Sequence, residues 1–387
     1  MIRKITNSAR DYAWGSTSLI SDYFGIPATG LPMAEIWFGT HAGSPTLVAG
    51  DAKSLVELRD GVELPFLLKI LAAGQPLSIQ AHPNKAQAIA GFARENAAGI
   101  PIDAPNRDYK DDHHKPEMIV ALTPFTALVG FRERVDIVVS FQRLAMQAQQ
   151  LGLDALESAL AGWIQLLRDG GTPSLFQTLL EQRGELDEVC SQLAELASAS
   201  RAVENIESAN LALAPQLQEL HPGDPGVIIS QLLNVVELAP MQAAELLAGN
   251  VHAYVSGLGV EIMANSDNVL RGGLTTKNIN SDELLKIVDF NASSKLSFEA
   301  ERLLEGLWKY PTMAEDYTLY RVEVSGSHLM ADLEIANAAI VLCTAGEVAV
   351  GDSLGEREVL RKGEAAYLAD ARLYSFTGSG TAFLATS

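Results

Sequence analysis

Cysteine is almost absent from this chain of 387 residues, which contains only Cys190 and Cys343. The two lie far apart in apolar segments, so we expect buried free thiols in a reducing compartment rather than a disulfide. A closed structural zinc site normally uses several cysteines, which this sequence cannot supply. Any metal is therefore expected on histidine, carboxylate or amide ligands.

Long apolar runs and basic residues are also scarce. No run approaches about 18 apolar residues and the amino terminus turns polar at once, so we expect neither secretion nor a membrane span and predict a cytoplasmic protein. Lys and Arg number 28 against 48 Asp and Glu, for a net charge of −20. A field of this sign repels nucleic acid and anionic lipid, which we therefore exclude as partners.

The remaining composition is that of an ordinary globular protein, with 48% apolar and 20% charged residues. A chain of this length can hold two or three cores. We predict a mainly β fold with a helical insert. The predicted units are a β-rich metal domain (1–132 plus 250–317), an inserted helical domain (133–249) and a carboxyl-terminal β domain (318–387).

The helical insert is indicated by apolar residues at three- and four-residue spacing, as at 154–160 and 186–196. A turn rich in Pro and Gly interrupts it at 222–226, and residues 241–247 are predicted to resume it as a helix. A shorter helical patch is predicted within the metal domain, at 83–96.

The carboxyl-terminal part has short apolar segments separated by glycine-containing turns, at 339–343, 346–351 and 363–368. Strands repeating at roughly 8–12 residues are typical of a small antiparallel sandwich or jelly roll. His328 stands alone in this part, and we interpret it as structural or exposed rather than as a ligand.

Four side chains of metal-ligand type lie beside strand-like segments. Gln80 and His82 are two residues apart next to a strand predicted at 77–79, so strand alternation points them the same way. Glu117 begins a second predicted strand, and His252 belongs to a third. A mixed nitrogen and oxygen set suits zinc or another divalent first-row ion, with positions left for a substrate.

The sequence around these residues resembles that of a known family. Segments 76–85, 114–117 and 251–257 closely resemble the three metal-bearing motifs of the type I phosphomannose isomerases, and 261–275 is similar to that family's signature around its catalytic arginine. Two amino-terminal segments, 12–16 and 34–41, resemble further boxes of the family. The matches occur in the family's order over most of the chain.

The resemblance implies reversible interconversion of mannose 6-phosphate and fructose 6-phosphate through an enediol. It implies one Zn²⁺ per chain, bound by Gln80, His82, Glu117 and His252, and cupin-like jelly rolls for both β units. Isomerisation moves a proton between C1 and C2, and a Lewis-acidic cation can stabilise the charge that develops on oxygen. The expected partner is a phosphorylated hexose, and we expect a monomer.

Arg271 corresponds to the family's catalytic arginine. Its permanent charge suits it to stabilise an enediolate or to orient a hydroxyl or phosphate oxygen, but makes it a poor base. Lys115, Glu261, His114 and Asp267 are candidates to move the proton or open the sugar ring, and the sequence does not choose among them. Glu261 and Asp267 have an alternative interpretation as partners that hold Arg271 in place.

An anionic substrate must be captured against the net charge of −20, so cations near the motifs gain importance. We predict that Lys69 and Lys277 line the substrate pocket together with Trp14. Ser78 lies two residues before Gln80 and would share its strand face, which places its hydroxyl where it could contact the phosphate.

Three positions depart from the family pattern. His113 stands where Asn is usual, Thr276 where Pro is common, and Asn280 where Asp is common. None is a predicted ligand, so the departures bear on substrate contacts and on loop rigidity, because Pro would fix a backbone dihedral that Thr276 leaves free.

Two functions of other classes are compatible with some of these residues. A metal-binding cupin that only senses or stores a sugar would use the same fold and ligands, but would not need Arg271 near a titratable base. A cupin-type dioxygenase would favour two or three histidines and one carboxylate around iron, and Gln80 argues against it.

Overall fold

The computed structural model describes residues 1–202, 209–291, 296–326, 330–369 and 372–387, so His328 lies outside the described residues. Over these ranges the chain is mainly β with a helical segment, as predicted, and forms twenty strands and nine α-helices. Cys190 and Cys343 are buried free thiols, also as predicted. No helix in the described ranges is long and apolar enough to cross a membrane.

The strands are β1 (Ile2–Thr6), β2 (Ala9–Arg10), β3 (Glu35–Phe38), β4 (Leu47–Val48), β5 (Phe66–Ala73), β6 (Ile79–Ala81), β7 (Glu117–Ala121), β8 (Phe125–Phe131), β9 (Leu233–Leu238), β10 (Ala243–Leu246), β11 (His252–Ala264), β12 (Leu270–Gly273), β13 (Glu301–Leu304), β14 (Leu307–Tyr310), β15 (Thr318–Val324), β16 (Met330–Ile335), β17 (Ala339–Asp352), β18 (Arg357–Arg361), β19 (Ala365–Leu368) and β20 (Arg372–Thr386). The helices are α1 (Leu19–Phe24), α2 (Leu55–Leu58), α3 (Lys85–Ala97), α4 (Arg134–Leu151), α5 (Asp154–Glu181), α6 (Asp187–Ala202), α7 (Ala209–Leu220), α8 (Pro225–Ile229) and α9 (Ser281–Ile287).

Sheet I contains the strands that bear the predicted metal ligands. Its main path runs β10-β7-β11-β5-β3-β2, and β6, β8, β9 and β12 continue it through pairings with β11, β8 and β6. β5 is an apolar run that is buried at every position, as expected for a strand covered on both faces. All strand pairings of sheet I are antiparallel, and they hold the ligand-bearing strands in fixed register.

The long strand β11 connects two parts of sheet I. Its second half pairs with β5 and β7, whereas its first half pairs with β6 and β8. The register shifts between Tyr254 and Ser256, and Gly257 follows with a φ of 122°. A side chain at Gly257 would also meet the backbone of Phe125, so only glycine fits this bend.

Sheet II is built mainly from the end of the chain, with the path β13-β14-β15-β20-β17-β19-β1-β4. The first strand, β1, pairs with β19 from the far end of the sequence, for example Ile2 with Leu368. One apolar core joins the sheets, with Leu68 and Ile262 of sheet I and Leu342 and Phe383 of sheet II among its members. The pairing of β1 is not visible in sequence spacing, which assigned residues 1–132 to the metal domain.

The helical segment lies between β8 and β9 and packs on one end of sheet I. Helices α4 to α8 share a buried core with residues of β6, β8 and β12, including Ile79 and Leu128. The predicted helices at 83–96, 154–160 and 186–196 are present as α3, α5 and α6.

The helix predicted at 241–247 is wrong, because Ala243–Leu246 is strand β10, paired with β7. Its apolar residues repeat at a spacing that suits either element, and pairing with a buried strand decides the outcome. Strands β9 and β10 belong to sheet I and β13 and β14 to sheet II, so sheet membership differs from the predicted unit boundaries at 249 and 317.

Gly346 in β17 and Gly355 in the turn after it both have a positive φ, but they differ in the space available for a side chain. Gly346 (φ 64°) has the carbonyl oxygen of Ser379 where a Cβ would lie, whereas Gly355 (φ 88°) has open space there. We expect Gly355→Ala to lower the free energy of unfolding by about 1 kcal/mol through strain alone, and Gly346→Ala to lower it by roughly 1–3 kcal/mol more through overpacking. Urea unfolding of both variants measures the difference, and equal losses would contradict this packing of β17.

Candidate metal centre and active-site cavity

The four predicted ligands meet at one point, brought together by three strands of sheet I. Glu117 Oε2 lies 3.3 Å from both His82 Nε2 and His252 Nε2. Gln80 pairs with His252 across β6 and β11, and its amide Nε2 lies 3.3 Å from His252 Nε2. A half-turn of the amide places Oε1 at the same point, so Gln80 can offer an oxygen ligand.

Backbone carbonyls orient both imidazoles. His82 Nδ1 is 2.7 Å from the carbonyl oxygen of Asn268, and His252 Nδ1 is 3.0 Å from that of Asn250. If each Nδ1 carries the proton, each Nε2 presents a lone pair to Glu117. This is the arrangement in which histidine binds metals.

The charges of the cluster favour a neutral imidazole beside an ionised carboxylate. Burial lowers the pKa of His82 to about 4, despite the opposing attraction of Glu117. Burial disfavours the charged form of Glu117, but Lys115 and His82 more than offset it and hold its pKa well below the usual range. Lys115 Nζ lies 2.9 Å from Glu117 Oε1, which leaves Oε2 directed at the histidines.

A divalent cation fits these residues. His82, Glu117 and His252 are buried, and they can offer three ligand atoms that lie within 4.8 Å of one another. Among the described residues, His82 Nε2 and Glu117 Oε2 have no hydrogen-bond partner, although an unpaired buried polar atom is costly. Two imidazoles, a carboxylate and an amide are a donor set suited to zinc with open positions.

A cavity of about 630 Å³ opens beside the cluster. Of the predicted site residues, its wall includes Trp14, Lys69, Gln80, Lys115, Glu117, Glu261, Asp267, Arg271 and Lys277. It does not include Ser78, His82, His114 or His252. His114 Nε2 instead lies 2.8 Å from Asp316 Oδ2, outside the cavity wall.

A buried charge network forms one side of the cavity. Lys69 stands opposite Glu261 in the pairing of β5 with β11, and its Nζ lies 2.8 Å from Glu261 Oε2 and 3.4 Å from Glu35 Oε1. Tyr254 donates to Glu261 Oε1, and Trp37 donates to Glu35 Oε2. Burial raises the pKa of Glu261, against the attraction of Lys69. Two carboxylates thus share one ammonium, and both oxygens of Glu261 accept hydrogen bonds.

Another part of the cavity wall is cationic. Arg271 lies directly across from Gln80 in the pairing of β12 with β6, which places it next to the metal cluster. Burial lowers the pKa of Lys277, and the like charges of Arg271 and Lys110 lower it further. Burial also lowers the pKa of Arg271, and Asp108 opposes that shift. A bound anion would relieve the mutual repulsion of these cations.

Within the described part of the chain, no hydrogen bond or ion pair joins Glu261 or Asp267 to Arg271, which the alternative interpretation of these two residues required. Glu261 is bonded to Lys69 and Tyr254, as above. Asp267 Oδ2 instead lies 3.3 Å from His41 Nε2. Burial acts to raise the pKa of Asp267, but the hydrogen bond and charge of His41, with nearby lysines, outweigh it and lower the pKa.

The three departures from the family pattern differ in their relation to the cavity. The side chain of His113 is 62% exposed and does not line the cavity. Thr276 lines the cavity. Asn280 accepts from the backbone of Glu283 at the start of α9, and its Nδ2 donates to Asp108 Oδ2 at 2.6 Å.

Sequence reasoning missed several polar or aromatic residues of the wall, among them Glu35, Trp37, His41, Asp108 and Tyr254. Four of these five could have been found from the sequence. Glu35, Trp37 and His41 lie inside the family-like segment 34–41, and Tyr254 lies two residues after His252, on the same face of the strand. Asp108 could not, because it belongs to an irregular loop.

Comparison with known proteins identifies the class. Residues 2–134 match the family model of the phosphomannose isomerase type I catalytic domain. The mannose-6-phosphate isomerase of Escherichia coli is 37% identical, with 95% of each chain covered, and the human one is 31% identical over 88% of this chain and 86% of its own. The structure of the Salmonella typhimurium mannose 6-phosphate isomerase bound to substrate and a zinc atom is 35% identical, with a TM-score of 0.87, and covers 100% of this chain and 99% of its own.

Fold, site and relatives together define an aldose-ketose isomerase. The chain belongs to the type I phosphomannose isomerase family, and it is an enzyme with mannose-6-phosphate isomerase activity. The sensing and dioxygenase functions have no such support.

The low pKa of His82 predicts a pH dependence of stability in the metal-free protein. The folded state binds fewer protons than the unfolded state between the ordinary histidine pKa of about 6.5 and the folded value of about 4. Stability should therefore fall as the pH is lowered through this window, by up to roughly 3 kcal/mol. Urea unfolding of chelated protein from pH 7 to 4 measures the slope. The His82→Asn variant should show a shallower slope, and an identical one would contradict the buried neutral imidazole.

Proposed function

We propose that the chain interconverts mannose 6-phosphate and fructose 6-phosphate through an enediol, with one zinc ion per chain held by Gln80, His82, Glu117 and His252. The observation that carries this proposal is the buried His82–Glu117–His252 cluster, with unpaired ligand atoms, at the wall of a cavity that Arg271 also lines. The zinc reported in the related Salmonella enzyme supports the choice of metal.

Zinc in this position would act as a Lewis acid on the sugar oxygens. The four side chains would hold it with a single negative charge among them, on Glu117. Gln80 matters here because a neutral amide leaves the site more positive than a second carboxylate would. Lys115 keeps Glu117 ionised through its 2.9 Å contact with Oε1.

Proton transfer between C1 and C2 needs a group that can both take and return a proton. Glu261 fits this role best, because its pKa is raised by burial and it lines the cavity. Lys115 and Asp267 remain candidates, since both also line the cavity. His114 would need to leave Asp316 to reach the sugar, so we place ring opening on the residues of the wall.

Arg271 would stabilise the negative charge that develops on oxygen in the enediolate. Its position across from Gln80 places a fixed cation beside the zinc ligands. Lys277, with Lys110, would bind the phosphate, because an anion offsets the like-charge repulsion that lowers the pKa of Lys277. Trp14 and Lys69 would form the wall around the sugar, and Ser78 would contact the phosphate only through a rearrangement of its segment.

Several expectations stay predictions. They are the cupin-like jelly-roll description of both β units, the division into domains at 132, 249 and 317, the cytoplasmic location and the monomeric state. Sedimentation of the purified protein tests the last of these, and a dimer would contradict it.

Metal removal should abolish activity. We expect a chelator to remove isomerase activity and zinc to restore it, because the ligands are protein side chains that survive metal loss. A coupled isomerase assay and elemental analysis on the same sample provide the measurement. In the His252→Ala variant the zinc content should drop while the far-ultraviolet circular dichroism is preserved. Full activity in a sample verified to be metal-free would contradict the proposal.

Replacement of Arg271 separates a transition-state role from simple binding. If it stabilises developing charge, Arg271→Ala should retain zinc and lower kcat by roughly 10²–10³-fold. Arg271→Lys should remain strongly impaired, because a point charge cannot reproduce the planar guanidinium. Steady-state kinetics with mannose 6-phosphate measures this, and a rise in KM alone would make Arg271 a phosphate ligand instead.

A further inference from the structure

The cationic wall of the cavity depends on a short segment whose conformation needs outside support. This segment, residues 273–278, follows β12, and Thr276, Lys277 and Asn278 line the cavity. Gly273 has a φ of 143° and Leu274 a φ of 51°. A positive φ is disfavoured for a leucine and persists where surrounding contacts hold it.

Asp224, in the Pro- and Gly-rich turn before α8, supplies those contacts. Its Oδ1 accepts the backbone N–H of Leu274 at 2.6 Å and that of Gly226 at 2.7 Å, and its Oδ2 lies 3.4 Å from the backbone nitrogen of Thr275. One carboxylate therefore begins a helix of the helical segment and anchors the wall of the cavity. A charged acceptor strengthens such bonds relative to a neutral one.

The backbones of Gly226 and of residues 273–274 lie so close together that neither glycine has room for a side chain. A Cβ on Gly273 would lie 2.6 Å from the Cα of Gly226, and a Cβ on Gly226 would lie 2.5 Å from the nitrogen of Leu274. Leu274 itself is 2% exposed and packs into the core of the helical segment. The turn at Asp224 therefore fixes the position of this segment.

The anchor is connected to Lys277 by two further bonds. Thr275 Oγ1 accepts the backbone N–H of Lys277 at 3.1 Å. Arg183, in the turn after α5, donates to the carbonyl oxygen of Thr275 at 3.0 Å. Both contacts to Thr275 from outside the segment, those of Asp224 and Arg183, come from the helical segment of the chain.

We propose that Asp224 is a positioning residue for the substrate phosphate, acting through the backbone of 274–275 on the placement of Lys277. The helical segment then has a role in substrate binding, although its helices supply none of the zinc ligands. This inference rests on the proposed function, because it takes Lys277 as a phosphate-binding residue.

The test uses a variant that keeps the helix cap and loses the anchor. Serine is a good N-cap and can still accept from Gly226, but its Oγ is one bond closer to the backbone and leaves the N–H of Leu274 without an acceptor. For Asp224→Ser we expect the KM for mannose 6-phosphate and the Ki for inorganic phosphate to rise by about tenfold. The kcat should change by less than about threefold and the zinc content should be preserved, because the metal cluster is untouched.

Two control variants make the result specific. Asp224→Asn keeps an Oδ1 acceptor for both N–H groups and should restore KM to within about threefold of the original value. Ser54→Ala removes the cap of α2, which lies outside the cavity wall, and should leave KM and Ki unchanged. Unchanged KM and Ki in Asp224→Ser, or an equal loss in Asp224→Ser and Ser54→Ala, would overturn the positioning role.

A separate variant distinguishes failure of this inference from failure of the proposed function. Lys277→Met should raise the KM and the phosphate Ki directly. An unchanged KM in Lys277→Met would contradict the phosphate assignment itself. A raised KM there, combined with an unchanged KM in Asp224→Ser, would overturn the positioning role of Asp224 alone.

Discussion

Burial of the Glu117 carboxylate between two imidazoles is the constraint on which the rest of the site depends. An ionised group at 2% exposure is costly unless it is paired, and the nearby ammonium of Lys115 contacts only one of its oxygens. The other oxygen faces two histidine nitrogens, and the Nδ1 of each ring lies beside a backbone carbonyl oxygen. A divalent cation would satisfy all three groups at once, at the point where strands β6, β7 and β11 bring them together.

Local charge in the cavity works against the field of the whole molecule. The chain carries a net charge of −20, yet Arg271, Lys277 and Lys110 act on one another across one wall. Elsewhere on the wall, Glu35 and Glu261 share Lys69. A phosphorylated sugar in this cavity would therefore have cations for its phosphate and a buried carboxylate whose pKa is raised by burial, close to the metal cluster.

Much of the site could be predicted from the sequence because its ligands lie in short motifs on strands. Gln80 and His82 face one way through strand alternation, and Glu117 and His252 each begin a strand, so few alternatives existed. Contacts that depend on long-range pairing were not visible, such as β1 with β19 or His114 with Asp316. The strand at 243–246 was missed for the same reason, since its neighbour β7 decides its conformation. Asp108 and Asp224 lie in irregular turns, where no periodicity indicates what a side chain will reach.

We expect Gln80, His82, Glu117 and His252 to hold a catalytic zinc at the cavity wall. An anomalous-difference map from a crystal of the active, zinc-loaded enzyme, recorded at the zinc absorption edge, would locate the ion. We expect one strong peak about 2.0–2.2 Å from the nearer atoms of His82, Glu117 and His252, with Gln80 in coordination range. A crystal of active enzyme with its zinc peak elsewhere, or with no peak at this cluster, would contradict this ligand assignment.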